Sequence, residues 1–144
     1  MRSSIIILLV SILVACSSSG TRPAGVAAAD VSVRLAAPLF FGSGRTSAAA
    51  LDVNVTNRAN VPVTLRRIHI SASGMLQYTI RPLDRIYNDT LAPGETKPYH
   101  LTTEAIASTP ALTPTEPLNV RVDVDFEATG RRYREIFNIV NVQP

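Results

Sequence analysis

From Asp30 to Val142 the chain changes polarity at nearly every second residue, and that period leaves little room for anything but β-strands. The clearest run is Leu118, Val120, Val122, Val124 and Phe126, with Asn119, Arg121, Asp123, Asp125 and Glu127 between them. Side chains alternate sides along a strand, so such a run has one dry face and one wet face. Val31, Val33 and Leu35 repeat the scheme, as do Leu51, Val53 and Val55 with Asp52, Asn54 and Thr56 facing out. Val61, Val63 and Leu65 continue it, but the apolar set then slips to Ile68 and Ile70, which predicts a β-bulge near Arg66–Arg67. Leu76, Tyr78 and Ile80 form a further run that ends at Pro82. Pro93–Gly94 marks a turn between Leu91 and a strand carrying Tyr99 and Leu101. The segment Thr102–Pro117 has three prolines and no sustained period, and reads as a long connection. Thr129–Gly130 marks a hairpin into Arg132–Val142. With no long amphipathic helix, about seven strands in this order predict an all-β fold, an antiparallel β-sandwich.

The last strand is apolar on both faces, with Tyr133, Phe137 and Ile139 on one and Ile136, Val140 and Val142 on the other. One face serves the core; the other is covered by another part of the chain or by a protein partner. Tyr133, Phe137 and Ile139 are the candidate partner-facing set.

Length and composition fit this scheme. A chain of 144 residues suits one domain, and 46% hydrophobic with 17% charged residues is the balance of a packed protein. Aromatic residues make up 6% and tryptophan is absent, so Val, Ile, Leu and Ala must build the core. The formal net charge is +3, one unit of it from Arg2, which is too sparse for a nucleic-acid surface. A single cysteine excludes an internal disulfide and a cysteine-based zinc site.

That cysteine stands at the end of a distinct N-terminal segment. Met1–Arg2 forms a short positive start, Ile5–Val14 a run of ten mostly apolar residues, and Leu13-Val14-Ala15-Cys16 closes the segment. Ten residues are too few to cross a bilayer, which takes about 20. Residues 1–16 resemble a bacterial lipoprotein signal peptide, with the lipobox ending at Cys16. The resemblance implies that residues 1–15 are removed, that the Cys16 thiol carries a diacylglyceryl group, and that its new amine is acylated. Two or three acyl chains hold a protein firmly at a membrane, at about 0.8 kcal/mol per buried methylene. A buried thiol is the structural alternative; a catalytic thiol finds no histidine nearby in sequence. Ser17, in place of the Asp that marks inner-membrane retention, resembles the outer-membrane pattern where the host has two membranes.

Residues 16–29 read as the lipidated cysteine and a flexible linker, "SSSGTRPAGVAAA" being rich in small residues. Residues 30–144 are the domain. "LDVNVTNRANVPVTLRRIHIS", followed by "LAPGE" and a long strand pair, resembles the immunoglobulin-like and fibronectin type III-like domains of bacterial surface proteins. It is similar too to sandwiches of the late-embryogenesis desiccation class. Neither resemblance brings catalytic residues.

Side-chain chemistry is thin. No Gly-rich phosphate loop, His-Glu metal signature or Gly-x-Ser-x-Gly elbow occurs. Asp123, Asp125 and Glu127 share one strand face with Arg121, as a solvated row or a cation site. His69 and His100 would make a metal pair only on adjacent strands in register. Arg66, Arg67, Arg131, Arg132 and Arg134 form the candidate basic surface, either touching anionic lipid or guarding strand edges. The chain therefore reads as a lipid-anchored envelope module without catalysis, cofactor or metal. An accessory subunit of an envelope assembly, and an enzyme or inhibitor with an unrecognised site, are the alternatives.

Overall fold

A computed structural model of the protein describes residues 20–74 and 77–144. Cys16 and Leu76 lie outside the described residues. The strands are β1 (Asp30–Leu35), β2 (Thr46–Thr56), β3 (Val63–Ala72), β4 (Tyr78–Ile80), β5 (Leu83–Leu91), β6 (Thr96–Ala107), β7 (Leu118–Ala128) and β8 (Arg131–Val142). They form two sheets, β1-β2-β6-β4 and β5-β3-β7-β8, with antiparallel pairing throughout. The set β1-β2-β6-β4 opposite β3-β7-β8 has the strand order of an immunoglobulin-type sandwich, with β5 added beside β3.

The inward rows meet in one core. Leu51, Val53 and Val55 of β2, Leu65, Ile68 and Ile70 of β3, and Val120, Val122 and Val124 of β7 are completely buried. The expected slip at Arg66–Arg67 is present: the β3 register shifts against both β5 and β7 between Leu65 and Arg67. One extra residue there keeps Leu65 and Ile68 facing the same core. The hairpin at Thr129–Gly130 is a two-residue turn with φ of 50° and 74°, which matches the right-handed strand twist. Ala92-Pro93-Gly94-Glu95 is closed by a 3.0 Å bond from Glu95 N to Ala92 O, with Gly94 at φ 78° as a type II turn requires.

Four expectations are corrected. The strands number eight among the described residues, where about seven were expected, because β5 is an edge strand whose outward residues include Ile86, so its polarity does not alternate cleanly. Residues Thr102–Ala107 continue β6, and the small side chains of Ala105 and Ala107 face the core; only residues 108–117 connect. The segment from Gly20 to Ala29 is docked on the domain. Gly20 bridges Tyr133 in parallel, Arg22 pairs with Glu135 at 2.8 Å, Glu135 accepts a 3.0 Å bond from Ala29 N, and Val26 is buried. Finally, Tyr133 is buried, and Phe137 and Ile139 pack half-buried against the core. The outward residues of β8 are Ile136 and Val140. Val142 returns to the core because the β7–β8 register shifts between Leu118 and Val120 and Asn141 takes φ 59°.

Strand direction defines two ends. The turns 57–62, 92–95 and 129–130 lie at one end, and the connections 36–45 and 108–117 with Gln143 and Pro144 at the other. Asn57 organises the first. Its Nδ2 donates to Val61 O at 2.9 Å and Leu91 O at 3.0 Å, and its Oδ1 accepts from Ala59 N at 2.9 Å. Its backbone bonds Gly94 N and Glu95 O, so one buried amide joins the β2–β3 and β5–β6 turns. Removing it strands several buried groups, each worth about 1–3 kcal/mol. Asn57→Ala is expected to lower unfolding free energy by roughly 2–4 kcal/mol in urea titration without changing the slope; a loss under about 0.5 kcal/mol would contradict this role.

Candidate functional site

The outward face of β5-β3-β7-β8 is an ionic lattice. Across the strands the register sets Asp84, His69, Asp123 and Ile136 in one row, and Ile86, Arg67, Asp125 and Arg134 in the next. Asp125 receives Arg134 Nε at 2.6 Å and lies 2.9 Å from Arg67 Nε, a contact too bent for a hydrogen bond. Glu127 receives Arg66 at 2.9 Å and Arg132 at 3.4 Å. Asp84 receives His69 Nδ1 at 2.9 Å, with Arg67 at 3.6 Å, and Asp123 pairs with Arg121 at 2.7 Å. Five guanidinium groups thus face four carboxylates.

This arrangement lowers carboxylate pKa values. The Arg66 hydrogen bond, aided by Arg132, holds Glu127 below its usual range against a small burial effect. At Asp125, burial pushes up, but the Arg134 hydrogen bond and the charges of Arg67 and Arg134 outweigh it. Arg66, Arg67, Arg132 and Arg134 are therefore neutralised on one face and do not make a free cationic patch. Arg66 and Arg67 sit on interior strand β3, so they guard no edge. Arg131, at the 129–130 turn, has no ion pair among the described residues.

The outward face of the other sheet carries a smaller cluster absent from the expected set. Arg34 of β1, Asp52 of β2 and His100 of β6 fall in register. Asp52 Oδ1 lies 2.6 Å from His100 Nδ1, and its Oδ2 2.9 Å from the Arg34 guanidinium. Its carboxyl is largely covered while the His100 ring is 77% exposed. The His100 hydrogen bond chiefly holds Asp52 below the usual range, with Arg34 adding to it and burial opposing. An Asp-oriented imidazole is half of a nucleophilic device, but among the described residues no hydroxyl or thiol bonds His100. The two histidines lie on different sheets, and no group of three metal-ligating side chains occurs among the described residues. Alternation already put Asp52 and His100 outward; their pairing needed the β2–β6 register, which sequence alone does not supply.

Between β5 and β6 the sheets are joined by side chains. Asp89 accepts from Tyr99 OH at 2.9 Å and Lys97 Nζ at 2.6 Å, and the Tyr87 and Tyr99 rings meet edge-on at 4.9 Å. Burial, then the Asp89 bond, pushes the Tyr99 hydroxyl far up; Lys97, then Tyr99, hold Asp89 down.

A cleft of about 370 Å³ opens at the end formed by 36–45 and 108–117. Leu35, Leu39, Tyr78, Pro114, Glu116 and Val142 line it. Tyr78 OH donates to Glu116 O at 2.8 Å, and burial, then the Glu116 charge, raises its pKa. Beside the docked segment 20–29 another space, between Ala27, Ala29, Phe126 and Tyr133, is too small for water.

The pH dependence follows from four lowered carboxyls. Asp52, Asp89, Asp125 and Glu127 bind protons less readily folded than unfolded, so their contribution is complete above the ordinary values of 3.8 and 4.5 and is lost as pH falls through the folded values. Unfolding free energy should fall steadily below about pH 4.5, and less steeply in Asp52→Asn. Urea titration at several pH values tests this; an equal slope in the variant would contradict it.

No protein-family model and no curated protein matches the chain. Similar solved structures include the sporulation control protein Spo0M of Bacillus subtilis, at 19% identity over 83% of this chain and 51% of that one, TM-score 0.43. A β-glucuronidase of Bacteroides uniformis is similar at 14% identity over 77% of this chain and 13% of that one, TM-score 0.41. A protein of Archaeoglobus fulgidus is similar at 10% identity over 76% of this chain and 90% of that one, TM-score 0.43. The chain spans about half the length of Spo0M. At these identities and scores the likenesses carry no activity to this chain.

Proposed function

We propose that this protein is a bacterial lipoprotein whose β-sandwich is a non-catalytic binding or structural module, tethered to a membrane of the cell envelope through lipid on Cys16. The observation that carries the reading is Leu13-Val14-Ala15-Cys16 at the end of a ten-residue apolar run, four residues before Gly20, which bridges Tyr133. Ser17 favours the outer membrane where there are two.

A second reading, an accessory subunit of an envelope assembly, is favoured by Ile136 and Val140. These are 51% and 66% exposed on the outer face of β8. Exposed apolar side chains on a long strand are a contact surface when a partner covers them.

Metabolic labelling with a radioactive fatty acid tests the anchor. Wild type is expected to incorporate label and to fractionate with membranes, whereas Cys16→Ala should incorporate none and lose membrane attachment. Equal labelling of the two would sink the reading.

A further inference from the structure

The docked segment constrains which end of the sandwich can meet a membrane. Gly20 bridges Tyr133, two residues from the start of β8 at Arg131, so the docked segment begins at the end of the sandwich that holds the 129–130 turn. A Cβ on Gly20 would lie 3.3 Å from Arg132 O, a close approach that suits glycine. The Arg22–Glu135 pair and the buried Val26 hold the segment in place. Pro23-Ala24-Gly25-Val26 then turns, with a 3.2 Å bond from Val26 N to Pro23 O and Gly25 at φ 79°, and leads into β1. From Gly20 back to Cys16 is four residues, at most roughly 14 Å of extended chain. Strands of eleven and twelve residues put the opposite end roughly 35 Å farther away.

The near end also has the right charge. Arg58 pairs with Asp30, Glu95 lies 3.8 Å from Lys97, and Lys97 holds Asp89. Glu127 is shared between Arg66 and Arg132. Four cations thus face four carboxylates, and Arg131, which has no partner among the described residues, makes a fifth cation. One surplus charge binds a surface weakly in free solution. A tether this short keeps it at high local concentration and within reach of an anionic headgroup layer.

We propose that the turn end bearing Arg58, Arg131 and Arg132 seats on an anionic lipid surface, with the 370 Å³ cleft at the opposite end facing away from the bilayer. This rests on the lipid anchor proposed at Cys16.

The lipidated protein, residues 16–144, tests it, since a thioether at Cys16 leaves an introduced cysteine as the only free thiol. A fluorophore is placed at Asn60→Cys, in the turn end, or at Thr113→Cys, beside the cleft. Each protein is reconstituted in phosphatidylglycerol–phosphatidylcholine vesicles containing a nitroxide-headgroup lipid. Quenching is expected to be at least roughly threefold greater at position 60 than at 113, given the separation of the two ends. Arg131→Glu, which breaks no ion pair among the described residues, should bring that ratio toward one, since one basic side chain at an anionic surface is worth roughly fivefold in attachment. Protein that fails to float with vesicles overturns the anchor and this inference together. Protein that floats but quenches equally at both positions, or shows no effect of Arg131→Glu, overturns this inference alone.

Discussion

The inward row of β7 is the constraint on which the rest depends. Val120, Val122, Val124 and Phe126 sit between β3 and β8 and are covered by the opposite sheet, with 1% exposure or less. A row so completely buried fixes register, because a slip of one residue would turn Asp123 and Asp125 into the core. The cost of burying two unpaired carboxylates far exceeds any gain from an alternative pairing. The outward positions of the neighbouring strands are thereby fixed too. The ionic lattice follows from the core; it does not build it.

That order explains the form of the lattice. Each carboxylate of β7 lies between a β3 residue and a β8 residue, and two of them receive arginines from both sides. Exposed ion pairs add little stability singly. Their use on an open sheet face is charge balance beside Ile86, Ile136 and Val140, which remain exposed. On the other sheet the same logic places Asp52 between Arg34 and His100.

Much of this was legible in the alternation. The sandwich, the bulge at Arg66–Arg67, and the turns at Pro93–Gly94 and Thr129–Gly130 all follow from period and turn chemistry. What was not legible depended on neighbours. β5 presents Ile86 outward and Asp89 partly inward, so no face of it reads as apolar until Tyr99 and Lys97 are set against it. In β8, two apolar faces allowed either to be the outer one; the buried pairing of Tyr133 with Phe126, rings 5.6 Å apart, decides it. The arginines read as a basic surface because their carboxylate partners are distant in sequence. The small residues of 20–29 read as slack for the same reason: Glu135, which holds them, is more than a hundred residues away.

Docking of that segment turns a question of attachment into one of geometry. A lipid at Cys16 would lie four residues from Gly20, which is docked beside Tyr133, and the domain would have a near end and a far end. The central claim is the modification itself. Intact-mass analysis of the protein purified from its native membranes tests it most directly. The account predicts a chain that begins at Cys16 and carries a diacylglyceryl thioether. A chain that retains residues 1–15, or one with a free Cys16 thiol, would contradict it.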